Sequence, residues 1–254
     1  MSEQRIAHQF DAVAGRYDEA NANWPPQALI DRIIAFAKPA PSDNVLDVGT
    51  GTGRLALALA PLVRTVTGID VSGEMLNLAR AKARVLGSSN VEFRQGSFVD
   101  PGLSASFDII VSSLAFEWVP DQEKRTALDR MSALLAPLGR LVVAERMVFA
   151  DPLTEPERFT KALCELIQQA TGQSPGEVER ASSPALLPEQ LVAARRFKRD
   201  HQELRLRPEN LATLFRERGF VVDTIEEVTP LLGIIVGRKR RPGENADEWQ
   251  TPAP

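Results

Sequence analysis

The sequence predicts an α/β protein with one doubly wound, mostly parallel sheet of seven strands, an antiparallel C-terminal hairpin and a helical insertion after the fifth strand. Three observations support this fold class. Short apolar runs alternate with helical stretches through the first part of the chain, the alternation stops after Glu145, and two final apolar runs meet at Pro230. Alternation at this spacing is typical of βαβ units, whose parallel strands carry helices on both faces of the sheet.

Two helices are predicted before the first strand. The first carries Ile6, Phe10, Val13 and Tyr17 at helical spacing, and the second opens at the Pro25-Pro26 pair. The predicted strands cover residues 44–48, 65–69, 91–94, 107–112, 140–145, 220–228 and 231–239, and the helices among them cover residues 54–62, 74–86, 125–135 and 208–218.

Length and composition predict a single domain. The chain has 254 residues, of which 43% are hydrophobic and 25% charged, as is ordinary for a globular protein. We expect this domain to span residues 1–240, with residues 1–40 as an N-terminal helical lid and residues 151–200 as a helical insertion over the acceptor site. The polar, Pro-containing residues 241–254 are predicted to be a flexible tail.

Charge and side-chain chemistry exclude several classes of partner. A net charge of -4 argues against nucleic-acid binding, which usually needs a basic excess. One cysteine, Cys164, and two distant histidines, His8 and His201, predict neither a disulfide nor a metal centre. No apolar stretch resembles a signal peptide or a membrane helix, so we expect a cytoplasmic protein without a membrane partner.

A glycine-rich turn follows the first strand. Gly49, Gly51 and Gly53 alone fit a plain βα turn as well as a ligand site. Asp47 before the turn and Asp70 at the end of the next strand are the acids that a nucleoside site would use. Because the spacing is G-x-G-x-G rather than G-x-G-x-x-G, the turn favours a nucleoside ligand over a dinucleotide, and argues against a Rossmann oxidoreductase.

From Asn44 to about Leu141 these features resemble the class I S-adenosylmethionine-dependent methyltransferases, whose sheet is Rossmann-like. The resemblance implies that S-adenosyl-L-methionine is the cofactor and that four segments bind it. The implied contacts are Asp47, Gly49, Gly51 and Gly53 with its amino-acid part, Asp70 with the ribose, Val71, Met75, Gly96, Ser97 and Phe98 with the adenine, and Ser113 and Tyr17 from neighbouring segments. Ser97 stands where the family usually has an acid, and Met75 fits plain helix packing equally well.

Two further segments, residues 10–18 and 112–121, resemble the malonyl-acyl-carrier-protein O-methyltransferase and trans-aconitate methyltransferase group. This resemblance implies that Tyr17 lies over the active site, and that Glu117 and Trp118 face the methyl acceptor. That group often carries Gln-Trp at this place. A charged Glu117 disfavours a carboxylate acceptor unless it points away or pairs with a cation.

The predicted function is therefore methyl transfer to a small molecule or to a carrier-bound acid, with O-methylation favoured. A carboxylate acceptor needs no base, whereas a hydroxyl acceptor would want one from Glu117, Glu145 or His201. The plainer interpretation of His201 is that it lies on a solvated basic helix face. Glu145 ends the fifth strand, close to where crevices of such sheets bind ligands. Alternatives are a non-catalytic S-adenosylmethionine-binding regulatory or assembly protein, or a nucleic-acid methyltransferase, which the acidic charge disfavours.

Overall fold

The computed structural model describes residues 2–21, 25–150, 154–171 and 207–240, and its described strands form one seven-stranded sheet. The strands are β1 (Asn44–Val48), β2 (Thr65–Asp70), β3 (Val91–Gln95), β4 (Phe107–Ser113), β5 (Leu135–Glu145), β6 (Phe220–Thr229) and β7 (Leu232–Lys239). Their order in the sheet is β3-β2-β1-β4-β5-β7-β6. Neighbours from β3 to β5 are parallel, and β7 is antiparallel to both β5 and β6. The predicted fold class is confirmed.

Helices cover both faces of this sheet. They are α1 (Glu3–Ala20), α2 (Gln27–Ala37), α3 (Arg54–Leu59), α4 (Gly73–Leu86), α5 (Asp121–Leu134), α6 (Pro156–Thr171) and α7 (Pro208–Glu217), with short 3-10 turns at Ala60–Leu62 and Phe116–Trp118. Apolar residues of α2, α3 and α4 form one buried cluster with the strands, and those of α5 and α7 form another on the opposite face. The parallel strands are therefore buried on both sides, as their continuous apolar runs predict.

Strand β5 starts earlier than the sequence predicts. Leu135 rather than Arg140 is its first residue, and the pairing with β4 shifts register between Phe107 and Ile109. The sequence Ala-Pro-Leu-Gly at residues 136–139 is typical of a turn, and Leu138 adopts a left-handed φ of 65°. The turn residues thus form an irregularity inside a longer strand instead of ending it.

Helices α1 and α2 have different surroundings, although both belong to the predicted lid. Along α1, Ala14 is buried while Val13 is 42% exposed, so the buried stripe passes through Ala14 rather than the predicted Val13. Helix α1 contacts α4, beside the turn that follows β1. Helix α2 instead packs into the core against β5 and β4, with Ile30 and Ile33 buried. Of these two helices, α1 therefore lies beside the turn after β1, and α2 forms part of the core.

The predicted insertion after β5 is described only in part. Helix α6 is its described segment, and the rest of residues 151–200, His201 and residues 241–254 lie outside the described residues. Within the described ranges, no helix combines the length and the apolar character needed to cross a membrane.

Candidate active site

The turn between β1 and α3 places three glycines at the carboxyl end of the sheet. Gly49, Gly51 and Gly53 all have positive φ, at 74°, 54° and 80°, a region that other residues adopt only with strain. The amides of Gly49 and Thr50 both donate to Ile69 O at the end of β2, at 2.9 and 3.0 Å. The turn is therefore anchored to the neighbouring strand in the conformation that only glycine tolerates easily.

These glycines differ in what surrounds them. A side-chain carbon at Gly49 would collide with Ala115, and one at Gly53 would lie 2.8 Å from the Phe93 ring. A side-chain carbon at Gly51 would meet no atom within 4 Å. Gly49 and Gly53 thus permit close packing of the turn, while Gly51 borders open space where a ligand can approach the backbone.

Asp47 lies below the glycine turn and is almost fully buried, at 1% exposure. Its carboxylate accepts a hydrogen bond from the Thr50 hydroxyl at 2.7 Å. Burial, reinforced by the charge of Asp70, raises the pKa of Asp47 to about 7, although the Thr50 bond opposes the rise. Near neutral pH this carboxyl can either hold or release a proton.

Asp70 ends β2 and ties the glycine turn to the start of α4. Its two carboxylate oxygens accept from the amides of Gly51, at 2.8 Å, and Ser72, at 2.9 Å. Burial raises the pKa of Asp70 above its usual value, although the two amide bonds act to lower it. A carboxylate held by two amides at the end of β2 has a fixed orientation, as a group that binds a diol requires.

Val71 and Met75, which are predicted to contact adenine, lie at the start of α4 on either side of its capping residue Ser72. Ser72 caps this helix by accepting from the Met75 amide at 3.1 Å, and Met75 is buried. Val71 is partly buried, and its carbonyl accepts from the Gln95 side chain at 3.0 Å. The structure thus places Val71 and Met75 beside Asp70, while their contact with adenine stays a prediction.

The segment after β3 forms a tight turn beside these residues. The Ser97 hydroxyl accepts from the Asp100 amide at 3.0 Å, and a side chain on Gly96 would collide with the Pro101 carbonyl. Phe98 stacks edge-on against Phe116 at 5.4 Å between ring centroids. Ser97 therefore stabilises its own turn, and its hydroxyl proton remains available to another acceptor.

The end of β4 carries unsatisfied polar groups. The hydroxyls of Ser112 and Ser113 are buried and have no hydrogen-bond partner within the described residues. Beyond them, residues 114–118, here called the acceptor loop, begin with Leu114 in a left-handed conformation at φ 56°. Orphaned hydroxyls and a strained residue at the end of a strand are features that cluster at ligand sites.

Glu117 in the acceptor loop forms an ion pair with Arg146. Its carboxylate is buried, and both of its oxygens accept from the guanidinium, with Nε lying 2.9 Å from Oε1 and 2.8 Å from Oε2. Within the described residues, the hydrogen bonds of Arg146 all go to Glu117. Glu117 was expected to disfavour a carboxylate acceptor unless it pairs with a cation. Arg146 is such a cation.

Aromatic side chains of α1 reach the acceptor loop. Phe10 stacks edge-on against Trp118 at 5.4 Å and against Tyr17 at 6.3 Å between ring centroids. Burial and then the charges of Asp70 and Asp18 raise the pKa of Tyr17, whereas Arg146 lowers it. The Tyr17 hydroxyl therefore stays protonated at neutral pH.

Polar bonds hold α1 over the site. Asp11 accepts from the Ser72 hydroxyl at 2.6 Å, while Asp18 accepts from the Thr52 hydroxyl at 2.7 Å and pairs with Lys82 at 2.8 Å. The sequence did not predict these contacts of Asp11, Asp18 and Lys82, because each partner lies 30 or more positions away.

The described residues suit a nucleoside ligand with a charged amino-acid part. Open space borders Gly51, the Ser113 hydroxyl is unpaired, and the carboxylates of Asp47 and Asp70 flank the turn. No group of His, Cys, Asp and Glu capable of holding a metal occurs in the described part of the chain. The open space at Gly51 and the two acidic side chains beside the turn suit an organic cofactor with a ribose and a cationic end.

Comparison with known proteins identifies a family for the first part of the sheet. Residues 45–139 match the family described as "Methyltransferase domain". That match begins at β1 and contains the glycine turn, Asp70, the adenine candidates and the acceptor loop. Residues 45–139 therefore belong to a methyltransferase domain, and the sheet around them has the Rossmann-like fold of the class I S-adenosylmethionine-dependent methyltransferases.

Individual relatives extend the comparison. An uncharacterized methyltransferase from Bacillus velezensis is 34% identical over 156 residues, covering 61% of this chain and 65% of that protein. The nocamycin O-methyltransferase of Saccharothrix syringae is 33% identical over 136 residues, covering 52% and 48%. The chain thus spans less than two thirds of either relative. The solved [4+2]-cyclase SpnF is 17% identical, with a TM-score of 0.68 over 94% of this chain and 97% of that one, which indicates a shared fold.

Proposed function

We propose that this protein transfers the methyl group of S-adenosylmethionine to a carboxylate oxygen of a small-molecule or carrier-bound acid. The observation that carries the proposal is the Glu117–Arg146 ion pair beside Tyr17. An unpaired Glu117 would repel an anionic acceptor, but its charge is balanced by a guanidinium whose side chain is 32% exposed. Similarity to a nocamycin O-methyltransferase also favours an oxygen acceptor.

Methyl transfer to a carboxylate requires mainly that the protein align the acceptor with the methyl donor. When bound, S-adenosylmethionine supplies a methyl group on a positively charged sulfur. A carboxylate is already nucleophilic, so the residues have only to orient the acceptor and exclude water. In this proposal Tyr17, Phe10 and Trp118 cover the reacting atoms, and the protonated Tyr17 hydroxyl donates to the acceptor.

The same proposal covers location and partners. The net charge of -4 supports an enzyme without a nucleic-acid partner, and the single cysteine supports a reducing, cytoplasmic setting. Its partner is then the acceptor alone, either free or attached to a carrier.

The test is a product assay with a panel of acceptors. Purified protein and S-adenosylmethionine are incubated with trans-aconitate, malonate, a malonyl thioester of an acyl carrier protein, a phenol and a primary amine. Formation of S-adenosylhomocysteine and a methyl ester with a carboxylate acceptor supports the proposal. Turnover of only the phenol or the amine contradicts it. Because the cyclase SpnF has this fold, binding of the cofactor without any product would favour the non-methylating alternative.

Variants of the ion pair test its role in acceptor recognition. Glu117→Gln leaves the guanidinium without its counter-charge, so we expect KM for carboxylate acceptors to fall. The double variant Glu117→Gln/Arg146→Gln removes both charges without stranding one of them in the interior, and we expect KM to rise about tenfold or more. Arg158→Gln, which breaks an exposed ion pair on α6, is the matched control. Equal KM values in all three variants would show that this ion pair takes no part in acceptor binding.

A further inference from the structure

Glu145, the last residue of β5, is bonded to the backbone of the acceptor loop. Its side chain is fully buried, and Oε1 accepts from the amides of Ala115, at 2.9 Å, and Phe116, at 2.6 Å. The sequence offered Glu145 as a base candidate because it ends a strand. These two bonds instead make it a bridge between β5 and the loop that follows β4.

The acceptor loop that Glu145 holds contacts several parts of the site. Ala115 lies against Gly49 so closely that only glycine fits there. Phe116 stacks on Phe98 in the adenine segment, and Trp118 stacks on Phe10 of α1. Movement of this loop would therefore disturb the glycine turn, the adenine segment and the covering helix together.

The loop does not adopt its conformation by local preference. Leu114 has a φ of 56°, which is unfavourable for a residue with a branched side chain, and its amide donates to Ala144 O at 2.8 Å. Strain of this kind persists only where surrounding bonds determine the conformation. The two bonds from Ala115 and Phe116 to Glu145 come directly after the strained residue and supply that constraint.

The charge state of Glu145 follows from its neighbours. Oε2 is buried and has no hydrogen-bond partner within the described residues. Burial, and then the negative charge of Glu117, raise the pKa of Glu145 well above its ordinary value, while Arg146 is already bonded to Glu117. Burial beside a second carboxyl group therefore favours the protonated form of Glu145.

We propose that Glu145 is a positioning residue, whose buried carboxyl holds the acceptor loop against the glycine turn and thereby sets the affinity for S-adenosylmethionine. It accepts two amide bonds and touches no reacting atom. The inference rests on the cofactor half of the proposed function and is independent of which acceptor is methylated.

The experiment compares two replacements of similar size. Glu145→Gln keeps a neutral oxygen acceptor, whereas Glu145→Met fills the same space and leaves both loop amides unbonded. Binding of S-adenosylhomocysteine is measured by calorimetry at pH 7. We expect the Met variant to bind about tenfold more weakly or worse, and the Gln variant to stay within about threefold of wild type. Glu209→Gln, at an exposed carboxyl on α7, is the control.

Hydrogen exchange at the amides of Ala115 and Phe116 supplies a readout that needs no ligand. Faster exchange in Glu145→Met, with wild-type exchange in Glu145→Gln, is expected. The proposal is overturned if the Gln variant binds as weakly as the Met variant, because an oxygen acceptor for the two loop amides would then not restore the affinity. Unchanged binding in the Met variant also overturns it. Failure of the wild type to bind S-adenosylhomocysteine would instead refute the proposed function, while amide exchange would still report on Glu145.

Discussion

At the scale of single residues, Asp47 is a buried site carboxyl with a pKa near neutral pH. Its pKa is raised from 3.8 to about 7 by burial, so the folded protein binds this proton more tightly than the unfolded chain does. The stabilisation from that proton is complete below about pH 4 and is lost as the pH rises toward 7. A shift of about three pKa units corresponds to on the order of 4 kcal/mol.

We therefore predict that Asp47→Asn flattens the dependence of stability on pH. Asparagine cannot ionise and can still accept from the Thr50 hydroxyl, so the free energy of unfolding should rise relative to wild type between about pH 4 and about pH 7. Urea unfolding at several pH values measures this difference. Asp31→Asn, at an exposed carboxyl of α2, should leave the wild-type slope in place. Parallel curves for Asp47→Asn and wild type would contradict the prediction.

Single residues also show where sequence reasoning reaches its limit. Gly49 and Asp70 could be predicted because a tight turn and a strand end impose their requirements within a few positions. Arg146 could not, because its partner Glu117 lies 29 positions away and only the sheet brings them together. The available signal was an arginine directly after the buried run of β5. Glu145 was found by its position at the strand end, but its bonds to the acceptor loop required the fold.

At the scale of elements, α1 is attached to α4 by a few polar contacts and a narrow apolar stripe. Asp11 accepts from the Ser72 hydroxyl and, at 3.2 Å, from the Glu74 amide, so its charge lies at the N-terminus of α4. Ala14 is buried, and its small side chain allows close approach. Removal of the Asp11 carboxylate should loosen α1 without disturbing the sheet.

We predict that Asp11→Ala speeds tryptic cleavage after the exposed Arg16. A loss of about 1 kcal/mol in docking energy raises the open population about fivefold, and cleavage should accelerate to the same extent. The rate is followed by mass spectrometry. Glu19→Ala removes an exposed carboxyl from the same helix and should not change it. If S-adenosylhomocysteine slows cleavage of the wild type, α1 acts as the lid that we propose. Equal rates in both variants would show that Asp11 does not hold it.

The ends of helices were predictable where the chain has a capping residue or a terminating glycine. The cap at Ser72 and the glycine after α4 fix that helix to within one residue of the prediction, because both act through neighbouring backbone groups. The start of β5 was not predictable, since Pro137, Leu138 and Gly139 normally end a strand. Here pairing with β4 and β7 outweighs that local preference.

At the scale of the whole molecule, strand order places the candidate site. The chain proceeds outward from β1 through β2 to β3, then returns to β4 on the other side of β1. Loops after β1 and β4 therefore leave the sheet in opposite directions and open a crevice at its carboxyl edge. The alternation of strands and helices predicted the doubly wound sheet, whereas the strand order that opens the crevice is seen only in the structure.

The folded site therefore predicts ligand-dependent stability for the whole chain. S-adenosylhomocysteine at about 100 times its Kd stabilises the folded state by about 2.7 kcal/mol. For a chain of this size, that raises the Tm by about 5–10 °C. Calorimetric melting with and without ligand measures the shift. NADH is the discriminating control, because the turn lacks the spacing for a pyrophosphate and should give no shift. Asp70→Asn should lose most of the response to S-adenosylhomocysteine. An equal response to NADH would favour a dinucleotide-binding protein instead.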